Sequence, residues 1–294
     1  MEITKKIIFT LENPMPPQWM MYPHIELGSI GWRMGYGESY AEAHYIWYTK
    51  LAENEQQKYR EMFPPPKLWR GYYDGFKDWE FAEGMEGVRF WNKDGMMAYS
   101  REKLIGEYNA GEQIEYLFFW KPNHGVIDKS CLGQWQPSTF HVGLSTYCCA
   151  EQYMMDDKAG LSGDNETRKL IMDATNPREI QQLGRQIKHF KQDLWDKVKY
   201  STVLNANYYK FTQNDEMRNF LLSTGDKVLV EASPIDTVWG IGLSENDTQC
   251  HNPNTWKGQN LLGFALMEVR DDLRTAYQNY DMIDWMAVND WHNW

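Results

Sequence analysis

An α+β fold, predominantly helical with a few short strands, is predicted by three observations. Long stretches carry apolar residues three and four positions apart, which lines one face of a helix. Two short apolar runs, "IEYLFFW" (114–120) and "KVLVEAS" (227–233), have strand length and are rich in aromatic or β-branched residues. Proline or glycine stands where the helical runs stop, at Pro64, Gly163 and Gly225.

The elements follow in order. In "SYAEAHYIWYTKLAENEQQKYREMFPPP", Tyr40, Ala43, Trp47 and Leu51 share a helix face, and the triple proline ends the helix. "GVRFWNKDGMMAYS" predicts two strands around the turn Asn92-Lys93-Asp94-Gly95. A soft boundary near 112 separates an amino-terminal extension (1–112) from a second region (113–280), with an aromatic tail (281–294) expected to fold back through its tryptophans. "IEYLFFW" opens the second region as a buried strand. "STYCCAEQYMMDDKAGL" (145–161) predicts a helix capped by Ser or Thr and stopped before Gly163. Asn176-Pro177 opens the next, with Ile180, Leu183, Ile187 and Phe190 on one stripe. A third runs through Leu194, Val198 and Phe211, and a fourth, "DEMRNFLLSTG", stops at Gly225. The strand "KVLVEAS" and a loop precede a last helix striped by Leu262, Ala265, Leu266, Val269 and Leu273.

Totals narrow the function classes. The 294 residues are enough for one large domain or two smaller ones. With 41 acidic and 30 basic residues the net charge is −11, which argues against a general grip on nucleic acid through its phosphates. The aromatic share of 15%, with 14 Trp and 18 Tyr, suits either bulky packing or the binding of flat groups. The four cysteines form no CxxC pair and the histidines are scattered, so neither a metal nor another cofactor is expected. GxGxxG after a strand, GxxxxGK[ST], HExxH and GxSxG are all missing. No run approaches the about 18 apolar residues of a membrane span, and no apolar leader opens the chain, so a cytoplasmic, reduced protein is expected.

The loop in "LVEASPIDTVWGIGL" (229–243) poses the sharpest question, because Asp236 and Trp239 arrive together between a proline and two glycines. One reading is turn chemistry, with Asp236 capping, Trp239 filling core and glycines at positive φ. The other is a strand end that delivers a carboxylate and an indole to a cleft. Glu151 and Lys158 share a helix face at a spacing of seven; Glu151 is flanked by Cys148, Cys149, Tyr153, Met154 and Met155, where a buried carboxyl would have its pKa raised. A solvated face continuing through Gln152, Asp156 and Asp157 is the alternative. Arg185, following Gly184, together with Lys188 and Lys210 could receive a pyrophosphate or could be ordinary surface charge.

Taken together and in order, "LFFW", "LGQWQPSTF", "AEQYMMDDKA", "NPREIQQLGRQIKHF", "LNANYYKFTQN", "LLSTGDKVLVEASPIDTVWGIGL" and "WKGQNLLGFALMEVRDDL" resemble the NADAR (YbiA-like) superfamily over about residues 114 to 274. The resemblance implies a YbiA-like fold and an N-glycosidase that cleaves between a ribose C1′ and a nitrogen. The substrate it implies is ADP-ribosylated guanine, as nucleoside, DNA or RNA, or else an early riboflavin-pathway intermediate. A non-catalytic module for ADP-ribose or NAD is the reading from another class. Carried over by motif, Glu151 and Asp236 are the acidic positions and Trp239 the aromatic one. Trp135, Lys158, Arg185, Lys210 and Asn260 are the further substrate-binding candidates. Implied partners are the ribosyl nucleotide itself, a single nucleotide of a nucleic acid, and an ADP-ribosyltransferase acting in opposition. Compact members carry "SEHYF" where this chain has "AEQYM", so Gln152 replaces a histidine beside Glu151.

Overall fold

The computed structural model describes residues 8–75, 96–123, 125–289 and 291. The chain groups into two compact units, Met1–Trp79 with Asp272–Trp294, and Glu80–Asp271. This grouping differs from divisions at 112 and 280, for local reasons. Arg101, ahead of 112, donates from Nε to the Pro253 carbonyl at 3.1 Å, whereas Asp272 accepts from the Lys67 amide at 3.1 Å.

The first unit holds α1 (Gln18–Met21), α2 (Tyr36–Lys50) and α3 (Glu53–Met62). The single helix expected between Tyr40 and Pro64 is therefore two. The chain breaks at Leu51 and Ala52, both extended, and the Glu55 carboxylate accepts from the Ala52 amide at 2.8 Å to start α3 anew. Tyr40 and Tyr59 are fully buried, and the Tyr59 hydroxyl donates to the Met15 carbonyl at 2.8 Å. Trp291 from the tail packs edge-on against Tyr40 at 5.3 Å between ring centres. The hairpin expected at 87–100 lies largely outside the described residues.

The second unit starts with α4 (Arg101–Asn109) and β1 (Tyr116–Phe119). Next come β2 (Phe140–Val142) and β3 (Ser145–Tyr147), an antiparallel pair joined through Gly143 at φ 57°. Ser145 and Thr146 are thus strand residues, and the following helix, α5 (Ala150–Leu161), starts only after Cys149. Its end before Gly163 is as expected. Then follow α6 (Asn165–Asp173), α7 (Pro177–Gly184), α8 (Gln192–Thr212), α9 (Asp215–Ser223), β4 (Val228–Glu231) and α10 (Leu261–Ala276), whose residues from Asp272 on are grouped with the first unit. The short α11 (Trp285–Val288) lies in the first unit's part of the chain. The helical predominance and the few short strands are those of the predicted α+β class.

Asn176 does cap α7, its side chain accepting from the Arg178 amide, but Ile187 and Phe190 lie beyond the helix. Helix α8 is buried on every side from Ser201 to Thr212, which makes it the axis of the unit. β1 and β4 pair in parallel, with Phe119 opposite Glu231. Leu262, Ala265, Leu266, Val269 and Leu273 of α10 are fully buried, as the stripe predicts.

Backbone passes tightly against backbone between β4 and the start of α10. A Cβ on Gly263 would stand 2.0 Å from the Leu229 carbonyl oxygen. Gly263→Ala is therefore expected to destabilise the fold by about 1–3 kcal/mol, the usual cost of overpacking. Thermal unfolding checks it, with Gly106→Ala as control, since a Cβ there meets nothing within 4 Å.

Candidate active site

The loop from β4 to α10 is shaped by backbone packing. The Ile241 amide donates back to the Glu231 carbonyl at 2.9 Å. A Cβ on Gly240 would come within 2.8 Å of that carbonyl, and one on Gly258 within 2.2 Å of the Gly240 carbonyl. Gly242 has φ 67°, whereas Gly240 is required by close approach and not by a positive φ. Asp236 does cap the turn: its Oδ1 accepts from the amides of Val238 and Trp239, each at 2.8 Å. It also faces the cleft, so the two readings of this residue hold together. Trp239 is half-buried and lines the same cleft, not the core.

That cleft has a volume of about 800 Å³. Glu151, Glu231 and Asp236 line it, along with Trp120, Trp135, Trp195 and Trp239. Lys121, Lys158, Arg178 and Arg185 supply four cations against the three carboxylates. The cleft therefore does not share the acidic balance of the whole chain.

Glu151 stands in the first turn of α5 and is 3% exposed. Its amide donates to the Gln134 carbonyl at 3.0 Å, which ties α5 to the segment carrying Trp135. Burial, and then the Asp236 carboxylate, push the Glu151 carboxyl up to about 7. A hydrogen bond from the Trp135 side chain and the charges of Lys158 and Arg185 oppose that rise. The alternative of a solvated face is thus absent at Glu151. Gln152 points elsewhere: it accepts from the Cys148 amide at 2.7 Å and donates to the carbonyls of Ile171 and Ala174, each at 2.9 Å. Gln152 therefore serves the contact of α5 with the end of α6 and does not line the cleft.

Lys158 crosses to α7, donating from Nζ to the Gly184 carbonyl at 2.9 Å and lying over the Phe190 ring at 4.5 Å. Helices α5 and α7 also meet closely at Gly184, where a Cβ would be 2.0 Å from Met155 Sδ. Arg185 caps the end of α7 rather than lying inside a helix; it is exposed at the cleft, with Nη2 donating to Gln181 Oε1 at 3.1 Å.

Three expected cationic or polar contacts lie elsewhere. Lys188 pairs with Glu166 at 2.8 Å, outside the cleft lining. Lys210 is fully buried in α8, where its Nζ donates to the Gly133 carbonyl at 2.9 Å; burial lowers its pKa to about 8. Asn260 is also fully buried, at φ 57°, accepting from the Glu231 amide at 3.0 Å and donating to the Leu229 carbonyl at 2.9 Å. These two residues support the site without lining it. In Lys210 the helical repeat turns an aromatic-flanked cation inward, and in Asn260 the open flank of β4 needs a side chain to complete its hydrogen bonds.

Glu231 and Gln134 are cleft residues that the motifs did not single out. Glu231 ends the apolar run Val228, Leu229, Val230, and that abrupt carboxylate was the available signal. Burial, then Asp236 and Glu151, push its carboxyl up to about 8. Its Oε2 is enclosed and has no hydrogen-bond partner among the described residues, and the same holds for Gln134 Nε2.

Residues 118–274 match the NADAR domain family. A protein named N-glycosidase from Acanthamoeba polyphaga mimivirus is 40% identical over 166 residues, covering 55% of this chain and 98% of that protein. Another so named, from Nostoc punctiforme, is 33% identical over 162 residues, covering 55% of this chain and 92% of that one. The NMR structure of the E. coli protein YbiA aligns at 26% identity with a TM-score of 0.45, over 55% of this chain and 86% of that chain. Among the described residues, no helix is long and apolar enough to cross a membrane.

The raised Glu151 carboxyl has a stability consequence. Its pKa in the fold exceeds the ordinary 4.5, so the penalty is absent below pH 4.5 and accrues as pH rises to about 7. Glu151→Gln removes this penalty, worth about 3 kcal/mol by linkage. Thermal melts are expected to show the variant more stable than wild type at pH 8 and equal to it at pH 4.

Proposed function

This chain belongs to the NADAR domain family, and on that premise we propose that it is an N-glycosidase, a hydrolase, whose substrate is ADP-ribosylated guanine. The observation that carries this reading is one cleft in which carboxylates, indoles and cations converge. Cleavage of a C1′–N bond passes through an oxocarbenium-like state, which nearby carboxylates stabilise. Glu151 and Asp236 are suited to that task, with ionised Glu151 also orienting the attacking water. Trp239 and Trp135 offer flat faces to a base. Arg185, Arg178, Lys158 and Lys121 suit the two charges of a pyrophosphate, Arg by bidentate contact. The local cationic balance removes the objection that an acidic chain repels such an anion. A base carried by DNA or RNA needs only its own nucleotide in the cleft, and an ADP-ribosyltransferase would supply the substrate.

Release of free ADP-ribose from ADP-ribosylated guanosine, read by mass spectrometry, tests the substrate. Cleavage only of the ribosylated aminopyrimidines of the riboflavin pathway would replace it with that class. Tight ADP-ribose binding without turnover of either would make the chain a binding module.

Glu151→Gln is expected to lower turnover by about 10²–10³-fold while ADP-ribose binding stays within about twofold. Because the ionised form is needed, wild-type turnover is expected to rise with pH through about 7. A Gln variant with wild-type turnover would remove Glu151 from the chemistry.

Trp239→Ala is expected to weaken binding of the base-bearing substrate by about 1–3 kcal/mol, the worth of one stacked base. Its half-exposed position predicts a folded variant, which circular dichroism checks. Asp236→Asn is the informative change at that position, because it keeps an acceptor for the Val238 and Trp239 amides and removes only the charge.

A further inference from the structure

Two buried polar atoms in the cleft are unmet among the described residues, and they are opposite in kind. Gln134 is buried, and its Oε1 accepts from Asn207 Nδ2 at 3.1 Å, while Asn207 Nδ2 also donates to the Val203 carbonyl at 2.8 Å. This anchoring fixes the amide and leaves Nε2 a donor without an acceptor. Glu231 sits at the carboxyl end of β4, its amide held by Asn260 Oδ1 and its carbonyl by the Ile241 amide. Its backbone is thus clamped on both sides, while Oε2 has no partner. Enclosed polar groups without partners are costly, and natural folds keep few of them. A pair of them lining one cleft indicates a ligand that supplies one acceptor and one site for a proton.

We propose that Glu231 is the acid that protonates the departing nitrogen, and that Gln134 Nε2 hydrogen-bonds the departing base. The assignment rests on the N-glycosidase reading and adds to it a leaving-group subsite. The carboxyls divide by surroundings. Burial and Asp236 raise both carboxyls, but Glu151 also faces Lys158, Arg185 and a Trp135 hydrogen bond, which favour its charge. Glu231 faces Asp236 and Glu151, which favour its neutral form. Unlike environments of this sort separate a base from an acid.

The step balances. As the C1′–N bond breaks, its electron pair goes to nitrogen and the Glu231 proton joins it. Water oxygen bonds to C1′ and yields a proton to the Glu151 carboxylate. One water is consumed, and the proton on Glu151 returns to Glu231 through solvent before the next turnover.

The experiment compares wild type, Glu231→Gln and Gln134→Leu on ribosides with different leaving groups. These are ADP-ribosylated guanosine, a ribosylated aminopyrimidine phosphate and a nitrophenyl riboside, which departs without protonation. Glu231→Gln is expected to lose about 10²–10⁴-fold where the leaving nitrogen needs a proton and under about tenfold on the nitrophenyl compound. Wild-type turnover is expected to fall as pH rises past about 8, and the variant to lack that limb. Gln134→Leu is expected to raise KM for base-bearing substrates by about 2- to 10-fold, with ADP-ribose binding unchanged.

Equal losses on all leaving groups, or an alkaline limb that survives in Glu231→Gln, would overturn the assignment. Wild type that cleaves the aminopyrimidine but not the ADP-ribosylated substrate would overturn the ADP-ribose reading alone, and the comparison on the aminopyrimidine then decides Glu231. Wild type that cleaves no riboside would overturn both. Loss of fold is separated from loss of chemistry by melting at pH 9. There Glu231→Gln should be at least as stable as wild type, since it no longer carries an ionised, unpaired carboxylate.

Discussion

The close passage of backbone against backbone beside β4 is the constraint on which the rest of the site depends. Gly240, Gly258 and Gly263 each meet a neighbouring carbonyl at a distance that leaves no room for a Cβ. Asn260 completes the arrangement with hydrogen bonds to Leu229 and Glu231 from a positive φ. Together these contacts hold the strand end, the turn at Asp236 and the start of α10 as one piece. Glu231, Asp236 and Trp239 then reach the cleft from a rigid support, as a reaction sensitive to small displacements requires.

Crowding of carboxyl groups is the second constraint. Glu151 and Glu231 are both driven upward by burial, and the Asp236 carboxylate is the next largest influence on each. Three carboxylates in one cleft would repel one another if all were ionised, and burial together with that repulsion raises the Glu151 and Glu231 carboxyls. The cations on the rim, Lys121, Arg178 and Arg185 with Lys158 behind them, face the same space. A positive rim around a proton-holding floor fits a ligand with an anionic body and a basic leaving end.

The heavy aromatic content serves two separate ends. In the first unit Trp19, Tyr40, Tyr59 and Phe63 are core, with hydroxyls satisfied by backbone carbonyls such as those of Pro16 and Met15. In the second, four tryptophans line the cleft. Counting rings does not separate these ends, because a buried ring and a binding ring have the same composition and differ only in what covers them.

The sequence by itself determined most of the local structure and the family. Gly163 and Gly225 end their helices at positive φ, Asn176 caps α7, and the α10 stripe is buried, because each depends on residues a turn away. Glu151, Asp236, Trp239, Trp135, Lys158 and Arg185 were legible from ordered motifs and do converge on one cleft. Tertiary structure alone decided the rest. Lys210 and Asn260 lie on motif positions, yet α8 buries one and the open flank of β4 claims the other. Ser145 and Thr146 have the chemistry of a helix cap, but pairing with β2 makes them strand. Glu231 and Gln134 acquire their roles only because their partners are missing in space, and an unmet hydrogen bond is a property of packing that no spacing along the chain records.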